Sequence, residues 1–390
     1  MKFISAQQIH DGKRFLESGS ILVLNDHFEV EDISNTSIVS GDKIQHFNGI
    51  ICPGFINAHC HLELSYLKNK IPSGKGLHEF IKEVELNKRT ADSDIMDAIT
   101  HADKEMYESG TVAVGDISNT DISFEFKSTS KIIYHTFLEV YAFDPKRAGL
   151  AFDKAQDLAA KYKSKFPQSN CRYSIVPHAP YSASPELLDL IGKNAERNDD
   201  ILSIHMQENQ DENLLFFCKK GKILERLVSF GIDISTFSPT GKNSLESTLP
   251  HLPQKNKILL VHNTFSGEQE IEYTLKHHQN VFYCFCLRAN NYIEKQLPDV
   301  KLFAKKNCTI AMGTDSYASN HSLRMIDEIN FARESTGLSL ENLITWSTLN
   351  GARALNLETQ LGSFEKGKKP GVVHLHKCEK TNKLSSVRLH

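Results

Sequence analysis

GFINAHCH, residues 54–61, is a short apolar run that ends in two histidines one residue apart. Seven further runs of Ile, Val, Tyr, Phe and small residues follow it, a composition typical of strands buried on both faces of a parallel sheet. They are GTVAVGDIS (110–118), KIIYHTFLEV (131–140), CRYSIVPHAP (171–180), ILSIHMQE (201–208), KILLVHNT (257–264), VFYCFCLRAN (281–290) and CTIAMGTDS (308–316). We therefore predict eight parallel strands, of which residues 54–61 form the first.

Segments with helical periodicity lie between most of these runs. One of them places Ile99, Ala102 and Met106 on a single stripe and stops at Gly110. The others are residues 184–198, which open with a Ser-Pro start signal, 322–335 and 339–356. The connection between the second and third strands is short, so its helix is expected to be reduced. The alternation predicts an α/β fold, a (β/α)8 TIM-like barrel.

The two ends of the chain do not follow this alternation. Residues 1–52 alternate and turn frequently, which is typical of a β-meander, and residues 361–390 contain short strands broken by Gly and Pro. Because isolated hairpins are only marginally stable, the two ends are predicted to pack together as one small discontinuous β-sandwich domain. The predicted organisation is 1–52 and 361–390 for this domain, and 53–360 for the barrel.

Composition limits the function. A net charge of −3 and a pI of about 6.7 argue against a nucleic-acid-binding surface and favour a small-molecule substrate. The first residues, MKFISAQQIHDGKRF, lack the apolar core of a signal peptide, and no run is long enough to span a bilayer. The eight cysteines are scattered, mostly inside apolar runs, which indicates reduced thiols in a cytoplasmic protein.

Ionisable residues fall at the carboxyl ends of the predicted strands, where barrel enzymes place their catalytic groups. They are His59, His61, His178, His205, Glu208, His262 and Asp315. Because burying them unpaired is costly, a metal or a substrate is expected to satisfy them. His59 and His61 lie two apart on a strand, with Cα atoms roughly 6.6 Å apart on one face. With His205 and Asp315 they supply three imidazoles and a carboxylate, which suits one metal ion with room for water.

The motifs PGFINAHCHLELS, HMQEN, VHNT, CLRAN and GTDSYASN, in this order and spacing, resemble the metal-dependent amidohydrolase superfamily. Within it they are similar to the branch of aminohydrolases and deaminases that includes guanine, adenosylhomocysteine, aminodeoxyfutalosine and triazine-processing enzymes. The tail LGSFEKGKKPGVVHL resembles the closing β-domain motif, although Pro-Gly-Val replaces the usual Ala-Asp-Leu ending. The resemblance covers essentially the whole chain.

The resemblance implies one divalent metal, zinc with iron(II) as the alternative, bound by His59, His61, His205 and Asp315. Glu208 matches the proton shuttle and His262 the histidine that contacts the attacking water. The fourth strand carries no lysine that could bridge two metals, which favours a mononuclear site. A homodimer is a further expectation from the family.

The pocket residues are less sharply defined by sequence. His178 matches a substrate-pocket residue, with a hydrogen-bonded rim residue as the alternative, and His262 could instead orient a ligand. Glu63 and Ser65 continue the period of two beyond His61, so they are predicted to face the substrate. Glu139, near the end of the third strand, is a further substrate-binding candidate or the partner of a neighbouring basic residue.

Hydrolytic deamination of an amino-substituted N-heterocycle, such as a purine, pterin or nucleoside, is the function that this set predicts. An alternative keeps the site and changes the leaving group, as in a triazine chlorohydrolase, an N-dealkylating enzyme or a cyclic-amide hydrolase. A catalytically silent metal-binding relative is the alternative of another class. The long segment 209–256 is expected to fold over the site.

Overall fold

The computed structural model describes residues 1–35, 43–87, 91–166, 172–379, 381 and 383–390. Residues 36–42 of the predicted meander and Cys171 lie outside the described residues; the seven cysteines that are described are free thiols. No helix in these ranges has the length and hydropathy needed to cross a bilayer.

The strands of the described chain follow one another in this order: β1 (Lys2–Ile9), β2 (Ser20–Leu24), β3 (Val30–Asn35), β4 (Ile44–Pro53), β5 (Phe55–Cys60), β6 (Thr111–Ser118), β7 (Ile133–Val140), β8 (Tyr173–Pro177), β9 (Leu202–Met206), β10 (Ile258–His262), β11 (Val281–Phe285), β12 (Thr309–Met312), β13 (Val372–Lys377) and β14 (Leu384–Arg388). The α-helices are α1 (Leu77–Leu86), α2 (Asp92–Glu108), α3 (Phe124–Thr129), α4 (Ala148–Lys165), α5 (Pro185–Asn198), α6 (Gln210–Cys218), α7 (Lys222–Ser229), α8 (Ser244–Thr248), α9 (Glu268–His277), α10 (Leu287–Ile293), α11 (Val300–Lys305), α12 (Met325–Thr336), α13 (Leu340–Ser347) and α14 (Leu349–Ala354). Short 3-10 helices cover Leu62–Leu67, Pro145–Arg147, Pro180–Ser182 and Leu249–His251.

All eight predicted central strands are present, as β5 to β12, and every pairing among them is parallel. They form two four-stranded sheets, ordered β5–β6–β7–β8 and β9–β10–β11–β12. Backbone hydrogen bonds also join the two sheets at both outer edges. The His205 amide donates to the His178 carbonyl (2.9 Å), and the amides of Thr314 and Asp315 both donate to the His59 carbonyl (3.1 Å each). The protein is therefore a mixed α/β fold with parallel sheets.

The helices confirm several local predictions. In α2 the buried residues are Ile99, Ala102 and Met106, and the chain turns at Gly110 with a φ of +103°. The short connection between β6 and β7 carries only the reduced helix α3. The single helix predicted over 339–356 is instead two, because the backbone at Thr348 leaves helical geometry (φ −126°, ψ −87°) between α13 and α14.

Both ends of the chain meet in one six-stranded sheet, ordered β14–β13–β4–β1–β2–β3. The joint is the antiparallel pairing of β13 with β4, in which Val373 lies opposite Cys52. The prediction of two facing sheets differs from this single sheet, and burial gives the reason. Cys52 and Val373 pack into the core beneath the parallel strands, so that core covers one face of the sheet. Ile51 and Val372, which alternate with them, pack with Phe364 on the other face.

Candidate active site at the strand ends

Four of the predicted residues converge where the two parallel sheets meet. His59 lies in β5, His61 follows the end of that strand, and His205 lies in β9. The Nε2 atom of His61 lies 3.2 Å from Nε2 of His59 and 3.2 Å from Nε2 of His205. The Oδ1 atom of Asp315 lies 3.4 Å from His61 Nε2 and 3.7 Å from His59 Nε2. Residues separated by more than 250 positions thus present their ligand atoms to one point.

The donor atoms of this cluster fit a divalent metal ion. Ligand atoms ~2.0–2.1 Å from a tetrahedral metal lie about 3.3 Å from one another, close to the spacing observed here. Nδ1 of His205 donates to the His178 carbonyl (2.8 Å), so in a neutral ring its Nε2 carries a lone pair toward the cluster. Burial lowers the pKa of His59 to about 4 and that of His205 well below its usual value. Imidazole nitrogens that face each other at 3.2 Å, two of them on rings that burial favours in the uncharged form, are the arrangement that a cation stabilises.

Close approach of β5 and β12 depends on small residues and on a buried pair of polar side chains. A Cβ atom at Gly313 would lie 2.8 Å from the His59 carbonyl oxygen, so a side chain there would push the strands apart. Asn57 donates to the Thr314 hydroxyl (2.7 Å) and accepts from the Thr314 amide (3.0 Å). β5 and β12, which carry or directly precede three of the four converging residues, are therefore held in register by side chains as well as by backbone.

Asp315 is constrained on both sides. Its backbone has a φ of +57°, which a non-glycine residue rarely adopts and which is favoured by stabilising contacts nearby. Its Oδ2 atom accepts a hydrogen bond from the Ser319 hydroxyl, which leaves Oδ1 facing the histidines. Burial acts to raise the pKa of Asp315, but the contact with His59 and the charges of His61 and His262 hold it below its usual range.

Glu208 and His262 lie together beside the cluster. Glu208 Oε1 lies 3.7 Å from His262 Nε2, and the His262 ring centroid is 5.5 Å from that of His205. The Asn290 amide donates to Thr264 (2.7 Å), so its oxygen faces His262 Nδ1 at 2.9 Å and accepts the Nδ1 proton. In the neutral ring, Nε2 of His262 is then free to accept a proton. Burial is the main cause that raises the pKa of Glu208 to about 7.

His178 and Glu139 also border His205. The ring of His178 is 4.9 Å from that of His205, and its Nδ1 is 2.8 Å from the Ser182 hydroxyl. Glu139 Oε1 lies 3.6 Å from His205 Nδ1 and is buried without a hydrogen bond, whereas Oε2 accepts from the Asn119 side chain (2.9 Å). Both predicted pocket residues therefore border the cluster.

Glu63 and Ser65 are placed differently. β5 ends at Cys60 and a 3-10 helix begins at Leu62, so the period of two that predicted their orientation does not continue. The Glu63 carboxylate accepts from the amides of Asn119 and Thr120 (3.2 and 3.3 Å) in the loop after β6. Ser65 lines a surface groove beside Tyr317 and Lys68. Neither residue is among the converging side chains, and their substrate contacts stay predictions.

Three residues of the site were not identified by sequence reasoning in these roles: Asn57, Asn290 and Ser319. Asn57 had a usable signal, because it lies two residues before His59 on a buried strand, where an amide needs a polar partner. Asn290 lies in the CLRAN motif, but the motif alone does not indicate its contact with His262. Ser319 reaches Asp315 through a loop whose path no periodicity predicts.

Comparisons with known proteins extend this picture. The model of the Amidohydrolase family matches residues 50–385. The chain is 26% identical over 357 residues to the 5-methylthioadenosine/S-adenosylhomocysteine deaminase of Thermoanaerobacter pseudethanolicus, covering 88% of this chain and 75% of the relative.

Solved structures of similar fold include the aminofutalosine deaminase of Helicobacter pylori in complex with methylthio-coformycin, with a TM-score of 0.81 and 21% identity. That match covers 97% of this chain and 93% of the other. The atrazine chlorohydrolase of Arthrobacter aurescens complexed with zinc has a TM-score of 0.75 and 16% identity, covering 96% and 86%. At these identities the structures show the fold alone. The family match over most of the chain shows that this protein belongs to the Amidohydrolase family and is a hydrolase of carbon–nitrogen bonds other than peptide bonds.

Proposed function

We propose that this protein is a metal-dependent hydrolytic deaminase of an amino-substituted purine or nucleoside. The observation that carries the proposal is the convergence of three imidazole Nε2 atoms and one carboxylate beside a second, buried carboxyl group whose pKa is raised to about 7. The first set suits a metal ion, and the second suits a group that exchanges protons at neutral pH. The deaminase relative, which covers most of the chain, supports the same reaction class.

The proposed architecture is a closed (β/α)8 barrel over residues 53–360 with a small domain from residues 1–52 and 361–390. The hydrogen bonds that join β8 to β9 and β12 to β5 lie where a closed barrel requires them. The single sheet shared by β4 and β13 supports the division into a barrel and a domain made of both ends.

In this proposal His59, His61, His205 and Asp315 hold one divalent metal, and zinc is the ion we propose, with iron(II) as the alternative. When bound, such a metal lowers the pKa of a water molecule to about 7 and so provides hydroxide at neutral pH. The ordered side chains around it then orient the water and move its protons.

Glu208 supplies the proton that the reaction needs on the substrate. In its protonated form it donates to a ring nitrogen while the water oxygen adds to the neighbouring carbon. The raised pKa suits this role, because at neutral pH both forms of the carboxyl group are populated. The water loses two protons in the reaction: one restores Glu208, and the other passes to the exocyclic amine, which leaves as ammonia.

His262 and Asp315 are proposed to orient the water and accept its proton. The hydrogen bond from Nδ1 to Asn290 leaves His262 Nε2 available as an acceptor, and it faces Glu208 at 3.7 Å. Asp315 Oδ1 faces the point where the histidines converge, while Ser319 occupies its other oxygen.

His178 and Glu139 are proposed to contact the substrate, because they border His205, one of the proposed metal ligands. Glu63 and Ser65 stay predicted substrate contacts, as do a cytoplasmic location and a homodimer. The segment 209–256, which carries α6, α7 and α8, is proposed to shape the pocket. His78 of α1 pairs with Asp211 of α6 (3.0 Å), which ties this segment to the first α-helix after β5.

An ammonia-release screen tests the function. Zinc-loaded and iron-loaded protein is assayed on adenosine analogues, aminopurines and aminopterins, with Glu208→Gln as the inactive control and metal content measured for each sample. We expect ammonia from at least one nucleoside or purine and none from the variant. If the protein releases chloride from a chlorotriazine but no ammonia from any amine, the deaminase proposal is wrong and the protein is a chlorohydrolase. If the protein binds metal but shows no turnover that Glu208→Gln reduces, it is instead a catalytically silent metal-binding relative.

A further inference from the structure

An ion pair lies fully buried behind the histidine cluster, between Asp116 at the end of β6 and Lys127 of α3. Lys127 Nζ lies 2.5 Å from Asp116 Oδ2, and both side chains have no exposed surface. The ammonium group also donates to the hydroxyls of Ser118 (2.7 Å) and Thr136 (3.3 Å). The ammonium group therefore has an ion-pair partner and a hydroxyl acceptor on β6 and a second hydroxyl acceptor on β7, so its position is fixed by contacts among β6, β7 and α3.

A buried ion pair is weak evidence for stability, because removing two charges from water offsets much of their attraction. The contact made by the other carboxylate oxygen of Asp116 is more informative. The second oxygen of Asp116, Oδ1, accepts from the backbone amide of Leu62 at 2.7 Å. Leu62 directly follows His61, one of the proposed metal ligands.

His61 needs such a support. β5 ends at Cys60, so the sheet does not hold His61, whose backbone (φ −122°, ψ 82°) begins the turn into the 3-10 helix. Its ring nevertheless occupies the centre of the cluster, 3.2 Å from two other nitrogens. The hydrogen bond from Leu62 to Asp116 therefore sets the direction in which the chain leaves His61.

We infer that Asp116, held in orientation by Lys127, is a positioning residue that places the His61 ring for metal binding. The inference rests on the metal site of the proposed function. It assigns no proton transfer to either residue: the carboxylate accepts the Leu62 amide, and the lysine prevents it from rotating away.

Two double variants that both abolish the ion pair test this role. Asp116→Asn/Lys127→Met keeps a carbonyl oxygen within reach of the Leu62 amide, whereas Asp116→Leu/Lys127→Met removes the acceptor. Each protein is stripped of metal, and its zinc affinity is measured by competition with a chromogenic chelator at a temperature where circular dichroism shows it to be folded. Asn256→Ala, which removes two buried hydrogen bonds at the opposite end of the strands, serves as the control for lost stability alone.

We expect the Asn/Met variant and Asn256→Ala to bind zinc within about threefold of wild type, and the Leu/Met variant to bind it ~10–100-fold more weakly. Equal affinities in the two double variants would overturn the inference and leave the proposed function intact. A wild-type protein that binds no divalent metal at one-to-one stoichiometry would overturn both. If the Leu/Met variant does not fold, Asp116→Ala/Lys127→Met decides, because it also removes the acceptor of the Leu62 amide but introduces a smaller side chain. Zinc binding ~10-fold weaker than that of the Asn/Met variant is then expected, and equal affinity would refute the inference.

Discussion

Replacing Glu208 by Gln is expected to abolish turnover and, in the metal-free protein, to stabilise the fold. Glutamine has the shape of the protonated carboxyl group but cannot transfer a proton, so kcat is expected to fall ~10²–10⁴-fold. The stability effect arises because burial raises the pKa of Glu208 from 4.5 to about 7. Between these pH values the folded protein binds more protons than the unfolded chain, and its stability therefore falls as the pH rises through this window.

The magnitude follows from the size of the shift. At ~1.4 kcal/mol per pKa unit, the ionised Glu208 destabilises the metal-free fold by about 3 kcal/mol above pH 7, and an uncharged glutamine removes this cost. For a chain of 390 residues, the unfolding entropy converts this difference to an increase of about 4 °C in Tm. The effect is expected in the metal-free protein, because a bound cation favours the charged carboxylate and so reduces the difference in stability between wild type and Glu208→Gln.

Thermal unfolding of metal-free wild type and variant, followed at pH 5 and pH 8, measures the effect. Relative to wild type, the Tm of the metal-free variant should be raised most at pH 8 and little at pH 5. Ammonia release by the metal-loaded variant should be lost at both pH values. Asp200→Asn is the control: its carboxyl group has a pKa raised to about 6, mainly by burial, and lies at the opposite end of the strands. It should retain wild-type kcat. Equal stabilities of wild type and Glu208→Gln at pH 8, or a difference that grows in acid, would refute the reasoning.

Three further perturbations probe the same site. Removing the metal with a chelator should lower Tm. Zinc at 1,000 times its Kd should restore about 4 kcal/mol of the free energy of unfolding, as measured by calorimetry. A Tm unchanged by the chelator would contradict the metal site. Ser319→Ala removes the donor to Asp315 Oδ2 and should weaken zinc binding ~10-fold in chelator competition, whereas wild-type affinity would show that Asp315 needs no such support. Lys127→Met leaves the charge of Asp116 buried and unpaired, and should reduce the free energy of unfolding by about 3–5 kcal/mol in denaturant titrations. A loss below about 1 kcal/mol would mean that water reaches Asp116.

The central strands and the converging residues could be predicted because their signal is local. Each buried strand is a continuous apolar run, and parallel strands place their carboxyl ends at one edge, so His205 and Asp315 could be assigned beside His59 from sequence positions alone. The assignment of Glu63 and Ser65 extended the strand period past its end at Cys60, where a 3-10 helix begins. The period of two predicts the orientation of side chains only within the strand itself.

The supporting contacts could not be predicted in the same way. Lys127 lies on a six-residue helix between two strands, where a lysine is normally solvated, and its burial depends on Asp116 from another element. Ser319 follows Asp315 in a loop without periodicity. The single sheet formed by both chain ends depended on a further long-range feature, because the core beneath the parallel strands covers the face that a second sheet would otherwise bury.

The pairing of β13 with β4 also has a consequence during synthesis. β4 ends at Pro53 and β13 begins at Val372, so about 320 residues must be translated before β4 meets its partner on that side. At ~5–20 residues per second this takes roughly 15–60 s. During that time β4 presents an unpaired edge containing Ile50 and Ile51, the kind of surface that chaperones bind and that aggregates if left uncovered. A strand that is translated long after β4 therefore completes the pairing of β4.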